Sequence, residues 1–259
     1  MSAITATRRR ESSISVDRAI QVFVHGFSFT RSFTHPYVPE RVGPIWVVRD
    51  GARKSGEYRR EEWVAYGIEP AEVDRIARQH TRGSFAVCAF HPIGKDDVPL
   101  RESFKMLGYR LGTTEPVMAH DLARIPRCAS PATIERVTTP EMAERVAKYA
   151  RSRQLLPEHL ADLDGAPLRQ YVALIDGEIV GRVGSIMTPA GTWCSNMHVV
   201  PPFRRRGIAR AMLCHMLRDD RANGTDVAAL TASHTGAKLY PVVGYRQIAT
   251  LYLFTPRKR

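Results

Sequence analysis

The sequence predicts an α/β protein whose mixed sheet is covered by helices and whose chain divides into two related halves. Three observations carry this. Short β-branched and aromatic runs alternate with segments of helical period. A strong hairpin signal is followed by a strand-helix-strand-helix unit, which builds a mixed sheet. A seven-residue stretch also recurs: FKMLGYR from Phe104 lies on YPVVGYR from Tyr240, with Gly, Tyr and Arg shared, and each copy follows an apolar strand and a short helical segment.

Taken in order, residues 1–18 are polar and read as a disordered N-terminus. Residues 19–30 (AIQVFVHGFSFT) are β-branched and aromatic and read as a strand, as does Ile45–Asp50 before the turn at Asp50-Gly51. Residues 70–81 form a helix with Val73, Ile76 and Ala77 on one face. Residues 84–90 (SFAVCAF) are the continuous apolar run of a strand buried on both faces. A helix near 100–107 leads through Gly108 into a strand over 109–118. The runs FVHGFSFTRSFTHPY and KSGEYRREEW read as solvated loops, or as the lining of a cleft.

Residues 126–132, with Pro126 and Pro131 around Cys128 and Ser130, are the linker candidate. This divides the chain into units at 19–125 and 133–259. In the second, residues 133–137 form a strand, Thr139 is an N-cap, and Pro140 opens a helix over 140–153. Runs 170–175 and 179–187 flank Asp176-Gly177-Glu178 as a hairpin. A strand over 192–200 enters a helix over 208–217 that ends at Gly224. A strand over 227–232, a short helix near 237–243 and a last strand over 245–255 complete the order.

At 259 residues and 44% hydrophobic content the chain supports a buried core. Its 38 Lys and Arg against 26 Asp and Glu give a net charge of +12, which favours anionic partners. The basic residues are scattered and no helix-turn-helix or RNA-binding sheet signature is present, so nucleic acid is not the expected partner. Cys88, Cys128, Cys194 and Cys214 show no metal spacing, so no metal is expected, and they read as buried or free thiols in a reducing compartment. With no signal-peptide or membrane-spanning stretch, the expected location is cytoplasmic, with no membrane partner.

The stretch VVPPFRRRGIARAMLCHML at 199–217 crowds Arg204, Arg205 and Arg206 where a helix begins. The first amides of a helix lack internal partners and sit at the positive end of its dipole. Arginine there costs up to about 1 kcal/mol each by the dipole rule. Three together imply either a solvated basic turn or an anion that offsets them. Gly207 removes the side chain where the chain enters the helix, and Pro201-Pro202 ends the preceding strand.

The order strand, Val200-Pro201-Pro202-Phe203-Arg204, then Arg205, Arg206, Gly207, Ile208 and Ala209, resembles the GNAT superfamily of N-acetyltransferases, whose pyrophosphate motif is Arg/Gln-x-x-Gly-x-Gly/Ala. A second block matches in the right order: Ser233 at a strand end, Leu239-Tyr240, and Gly244-Tyr245. The resemblance covers residues 133–255. It implies a GNAT-like fold, acetyl-CoA as co-substrate, and transfer of an acetyl group to a primary amine of a small molecule or a protein. The pyrophosphate contacts fall on Arg205, Arg206, Gly207, Ile208 and Ala209, with Arg204 and Arg210 alongside. The strand ending at Val200 should splay from its parallel neighbour, freeing backbone groups of His198, Val199 and Val200 for the pantetheine and the acetyl carbonyl. Tyr240 matches the general acid for the departing thiolate, with packing alone as the other reading. Ser233 matches a pantetheine contact, or an ordinary strand-end hydroxyl.

The base departs from the family pattern. The carboxylate that many members place on the strand before the motif is replaced by Asn196, which cannot take a proton. His198 lies on the same face by the two-residue strand period and titrates near neutrality, although a mid-strand histidine is also an ordinary core residue. A water chain, or a carboxylate such as Glu158 or Asp162, stays open. Residues 19–125 lack the Arg-x-x-Gly-x-Ala block and carry Phe104 where the repeat would need Tyr240, so that half resembles a degenerate GNAT domain without cofactor. The competing reading of the whole chain is a non-catalytic CoA-binding sensor or interaction module. Oligomeric state is not legible.

Overall fold

A computed structural model describes residues 14–257 except 154, 156 and 164. Among them, eleven strands form one mixed sheet. The first half supplies β1 (Tyr37–Val42), β2 (Ile45–Asp50), β3 (Glu61–Tyr66), β4 (Phe85–Pro92) and β5 (Tyr109–His120). The second supplies β6 (Thr133–Arg136), β7 (Leu168–Ile175), β8 (Glu178–Thr188), β9 (Gly191–Val199), β10 (Ala228–Thr231) and β11 (Arg246–Pro256). The helices are α1 (Val16–Arg31), α2 (Pro70–His80), α3 (Val98–Met106), α4 (Pro140–Ala150), α5 (Pro157–Ala161) and α6 (Ile208–Ala222).

The strand order β1-β2-β3-β4-β11-β5-β10-β9-β8-β7-β6 is nearly palindromic. Each half has one parallel pair, β3 with β4 and β9 with β10, and each sends its last strand across to the other. Thus β11 pairs with β4 while β5 pairs with β10, and the two exchanged strands run antiparallel at the centre. The recurring stretches begin these strands: Gly108 and Gly244 both sit at positive φ, 84° and 106°, and both following tyrosines are buried. With its last strand in the other half's sheet, neither half keeps its own set of strands together.

The strand expected at 19–30 is corrected by α1, which begins at Val16, within the stretch expected to be disordered. Residues 1–13 lie outside the described residues, but Ser15 caps a helix, its Oγ accepting the Arg18 amide at 3.2 Å, with Asp17 in the first turn. The β-branched and aromatic content that suggested a strand is overridden by packing. Ala19, Val22, Phe23 and Gly26 lie buried against the sheet, and a Cβ on Gly26 would stand 2.3 Å from the Trp193 Cβ. Arg18 fastens the helix start by donating to Ala190 O at 2.9 Å and to Asp226 at 3.0 Å. The second supposed loop, KSGEYRREEW, runs directly into β3.

Helix α1 covers one face of the sheet across both halves, and α6 covers the other face of the second half. Adjacent residues of β9 show the two faces: Trp193 packs on α1, while Thr192 Oγ1 donates to Asp220 of α6 at 3.0 Å. Asp220, fully buried, also accepts from Ser185 Oγ at 2.7 Å and pairs with Arg169 at 2.8 Å, so one carboxylate ties α6 to β7, β8 and β9. A second core, with Trp63, Val73, Phe104 and Phe254, lies beneath α2 and α3, and Phe104 stacks on Phe254 at 4.3 Å.

The cysteine expectation is corrected in part. Cys128 of the linker segment and Cys214 of α6 are joined as a disulfide, their Cα atoms 6.5 Å apart, whereas Cys88 and Cys194 are free and buried. Eighty-six residues of separation hide such a pair from spacing rules. Among the described residues no helix is long and apolar enough to cross a membrane.

Candidate active site

Strands β9 and β10 pair only at Thr192 with Ala228 and Trp193 with Ala229, then diverge. The divergence opens a cleft of about 1100 Å³. The corresponding pair in the first half stays zipped over six residues, from Glu61 opposite Phe85 to Tyr66 opposite Phe90.

The arginine turn closes one side of the cleft. A 3-10 turn at Pro201–Phe203 ends the strand, and Arg204 Nε donates to Val199 O at 2.8 Å. Arg205 and Gly207 take positive φ, 66° and 83°. The first intrahelical bond of α6 runs from Ala211 N to Gly207 O at 3.0 Å, so the amides of Ile208, Ala209 and Arg210 have no acceptor within the helix. Gly207 has no side-chain cap, and these residues line the cleft together with Arg204 and Arg205. Arg206 does not line it; its guanidinium lies over the Phe203 ring at 5.2 Å. Lys238 lines the far side, and no Asp or Glu is among the lining residues, so the cleft presents a single sign of charge.

Tyr240 and Ser233 line the opposite wall. Tyr240 is buried edge-on against Tyr245 at 5.6 Å, and burial pushes its phenol well above the ordinary value, so it keeps its proton at neutral pH. Ser233 Oγ accepts the Gly236 amide at 3.1 Å, shaping the turn that delivers Tyr240.

Between these walls β9 bulges. Gly184 pairs with Ser195 and Arg182 with His198, so Asn196 and Met197 together oppose Val183 alone, and Asn196 takes φ 55°. The bulge breaks the two-residue period that placed Asn196 and His198 on one face; because Arg182 and Gly184 share a face, His198 shares it with Ser195. Both Asn196 and His198 still line the cleft. Burial and the charges of Arg182 and Arg204 lower the His198 pKa, so the imidazole is neutral at pH 7. Its Nδ1 shares a 2.7 Å hydrogen bond with Tyr149 Oη of α4. No local pattern singles out Tyr149, which sits 49 positions away.

Backbone freedom at the strand end is narrower than expected. Val200 N donates to Val180 O at 3.0 Å and Val199 O is taken by Arg204. By the alternation of an antiparallel ladder, Val199 N–H points to the open edge. Glu158 and Asp162 are exposed and neither lines the cleft; Asp162 instead accepts the Gly165 amide at 2.8 Å.

Residues 167–247 match the acetyltransferase (GNAT) domain family model. No curated protein sequence matches the chain. Among solved structures it is similar to a GCN5-related N-acetyltransferase from Kribbella flavida, at 14% identity and TM-score 0.66, covering 93% of this chain and 96% of that one. A GCN5-related N-acetyltransferase from Sphaerobacter thermophilus aligns at 20% identity and TM-score 0.55 over 82% of this chain and 76% of that one. A tandem GNAT protein from the clavulanic acid biosynthesis pathway aligns at 13% identity and TM-score 0.50 over 93% and 95%.

Proposed function

Proceeding from a chain that carries a GNAT acetyltransferase domain and has the GNAT fold over most of its length, we propose that it is an acetyl-CoA-dependent N-acetyltransferase that acetylates a primary amine by direct attack on the thioester. The observation that carries this is the cleft itself: a parallel pair opened after two residue pairs, with the unpaired amides of a helix start on one wall and a protonated tyrosine on the other.

The residues present suit a CoA thioester. The amides of Ile208, Ala209 and Arg210, with the backbone of Arg205 and Gly207 and the guanidiniums of Arg204, Arg205 and Arg210, hold the pyrophosphate. Ser233 and the Val199 edge hold the pantetheine arm. The Val199 N–H donates to the acetyl oxygen as it gains charge, the role of an oxyanion hole. The amine nitrogen attacks the carbonyl carbon, its lost proton passes to His198 Nε2 directly or through a water, and the C–S bond breaks as Tyr240 donates its proton to the leaving sulfur. For this, His198 Nδ1–H donates to Tyr149 Oη, which leaves the lone pair on Nε2. Asn196 replaces the carboxylate and supplies hydrogen bonds only.

Residues 133–259 form the catalytic unit in this reading and residues 19–125 the degenerate one, joined through 126–132. The zipped pair β3 and β4 supports a first half without cofactor. Thiol release from acetyl-CoA with a panel of primary amines tests the proposal. Calorimetric binding of acetyl-CoA without turnover of any amine would replace it with a non-catalytic CoA-binding module, the reading that the absence of an acidic residue in the cleft favours.

A further inference from the structure

The turn that delivers Tyr240 to the cleft is braced from the first half of the chain. It is a 3-10 turn over Tyr240–Val243 that ends at Gly244 in the left-handed region, φ 106°. Two of its carbonyls close the turn on itself: Tyr240 O accepts from Tyr245 N at 3.2 Å and Pro241 O from Gly244 N at 3.1 Å. Val243 is fully buried, and its carbonyl bonds instead to His120 Nε2 at 2.9 Å, across 123 positions of sequence. His120 is the last residue of β5 and is 2% exposed.

These partners fix the tautomer. The Leu122 amide can only donate, and it does so to His120 Nδ1 at 2.8 Å; the Val243 carbonyl can only accept, so the ring proton sits on Nε2. Burial lowers the pKa of the ring and keeps it in this neutral form. The imidazole stands edge-on to Tyr245 at 5.3 Å, and Tyr245 edge-on to Tyr240 at 5.6 Å, a continuous stack from β5 to the phenol. A Cβ on Gly244 would stand 2.6 Å from His120 Nε2, so glycine is what lets the ring reach the turn. The recurring stretch of the first half is built differently. A Cβ on Gly108 would meet nothing within 4 Å, and the residue paired with Tyr109 is Pro256, which has no donor to offer.

Resting on the acetyltransferase reading, we infer that His120 is a positioning residue for Tyr240, and that supplying it is a function of the half without cofactor. A buried carbonyl must find a donor. Without the imidazole, the turn would shift to satisfy Val243 O and carry the phenol away from the leaving sulfur. A misplacement of about 1 Å at a reacting group can cost about a hundredfold in rate. The pyrophosphate wall stands on α6, a separate element, so loss of the brace acts on the chemical step and spares cofactor binding.

Two substitutions separate the two bonds of the ring. The glutamine amide N–H reaches the place of Nε2 and keeps the bond to Val243 O; the asparagine carbonyl takes the place of Nδ1 and keeps only the Leu122 contact. His120→Gln should hold kcat within about threefold of the parent and His120→Asn should lower it about tenfold or more, with acetyl-CoA affinity within about twofold in both, the check that they are folded. In a Tyr240→Phe background His120→Asn should cost less than about twofold, because its effect passes through the phenol. Ring signals of isotope-labelled tyrosines read the same brace without turnover: the signal lost in Tyr240→Phe should shift in His120→Asn and hold its place in His120→Gln. Equal activity of the two variants, acetyl-CoA binding lost in both, an undiminished effect of His120→Asn in the Tyr240→Phe background, or a Tyr240 signal unmoved in His120→Asn overturns the inference. Tyrosine signals that behave as expected, in a protein that releases no thiol with any amine, leave the brace standing and remove the acetyltransferase reading instead.

Discussion

Tyr149 Oη lies 2.7 Å from His198 Nδ1, joining the last turn of α4 to the bulged end of β9. The contact fixes the ring, while burial and the charges of Arg182 and Arg204 lower the imidazole pKa, so His198 is neutral at pH 7. A neutral ring with Nε2 unprotonated can accept a proton. Below its lowered pKa it gains a proton and loses that capacity, so the rate should fall on the acid side.

Accordingly, kcat/KM for the amine should show an acid limb lying below the ordinary histidine value of about 6.5, beyond the slope due to protonation of the amine itself. His198→Gln should abolish that limb and lower the pH 7.5 rate by about tenfold to a hundredfold. Tyr149→Phe should retain the limb and lower the rate less. A pH profile unchanged in His198→Gln would assign the proton to water.

Tyr240→Phe should reduce kcat by about tenfold or more while leaving acetyl-CoA affinity within twofold, because in the proposed mechanism the phenol acts only as the C–S bond breaks. Single-turnover thiol release separates this chemical step from product release. An unaltered rate would leave Tyr240 as a packing partner of Tyr245.

Ala209→Glu separates the anion site from helix stability. An acid in the first turn of α6 suits the helix dipole, so the melting temperature should hold or rise slightly, an effect of about 0.3 to 1 kcal/mol. In the proposed complex the same carboxylate stands against the pyrophosphate, and acetyl-CoA affinity should fall by about two orders of magnitude. Calorimetry and thermal melts on one sample give both numbers. Affinity that stays unchanged would move the pyrophosphate elsewhere.

Asp220→Ala should be among the costlier single substitutions. It leaves Arg169 buried without its 2.8 Å partner and unties α6 from three strands. Breaking a buried pair in this way costs about 3 to 5 kcal/mol, which urea denaturation would register as a midpoint shift at constant slope. A loss below about 1 kcal/mol would mean that water fills the site and solvates Arg169.

Much of the fold was legible because local chemistry decides it. Thr139 and Pro140 start α4 by a side-chain cap and a preset φ. Asp176 and Gly177 turn the β7–β8 hairpin with positive φ at both positions. The turn from Pro201 to Gly207 contains the features that leave the α6 amides open. The segment at 19–30 reads as a strand because its seven β-branched residues and phenylalanines have no local way to signal that they will pack on Trp193 as a helix. Tyr240, Ser233 and most of the arginine turn, named from the sequence, line the cleft, whereas Tyr149 was not named and Arg206 turns away to Phe203.

By itself, then, the sequence determined the elements whose geometry depends on neighbours a few residues away: caps, turns, hairpins and the open-amide start of α6. Tertiary structure alone decided the exchange of β5 and β11, the bulge that parts Asn196 from His198, and the joining of Cys128 to Cys214. The reason is physical: strand pairing and burial are settled between segments tens to over a hundred residues apart, where the free energy depends on what finally packs against what, and no short-range pattern encodes the partner.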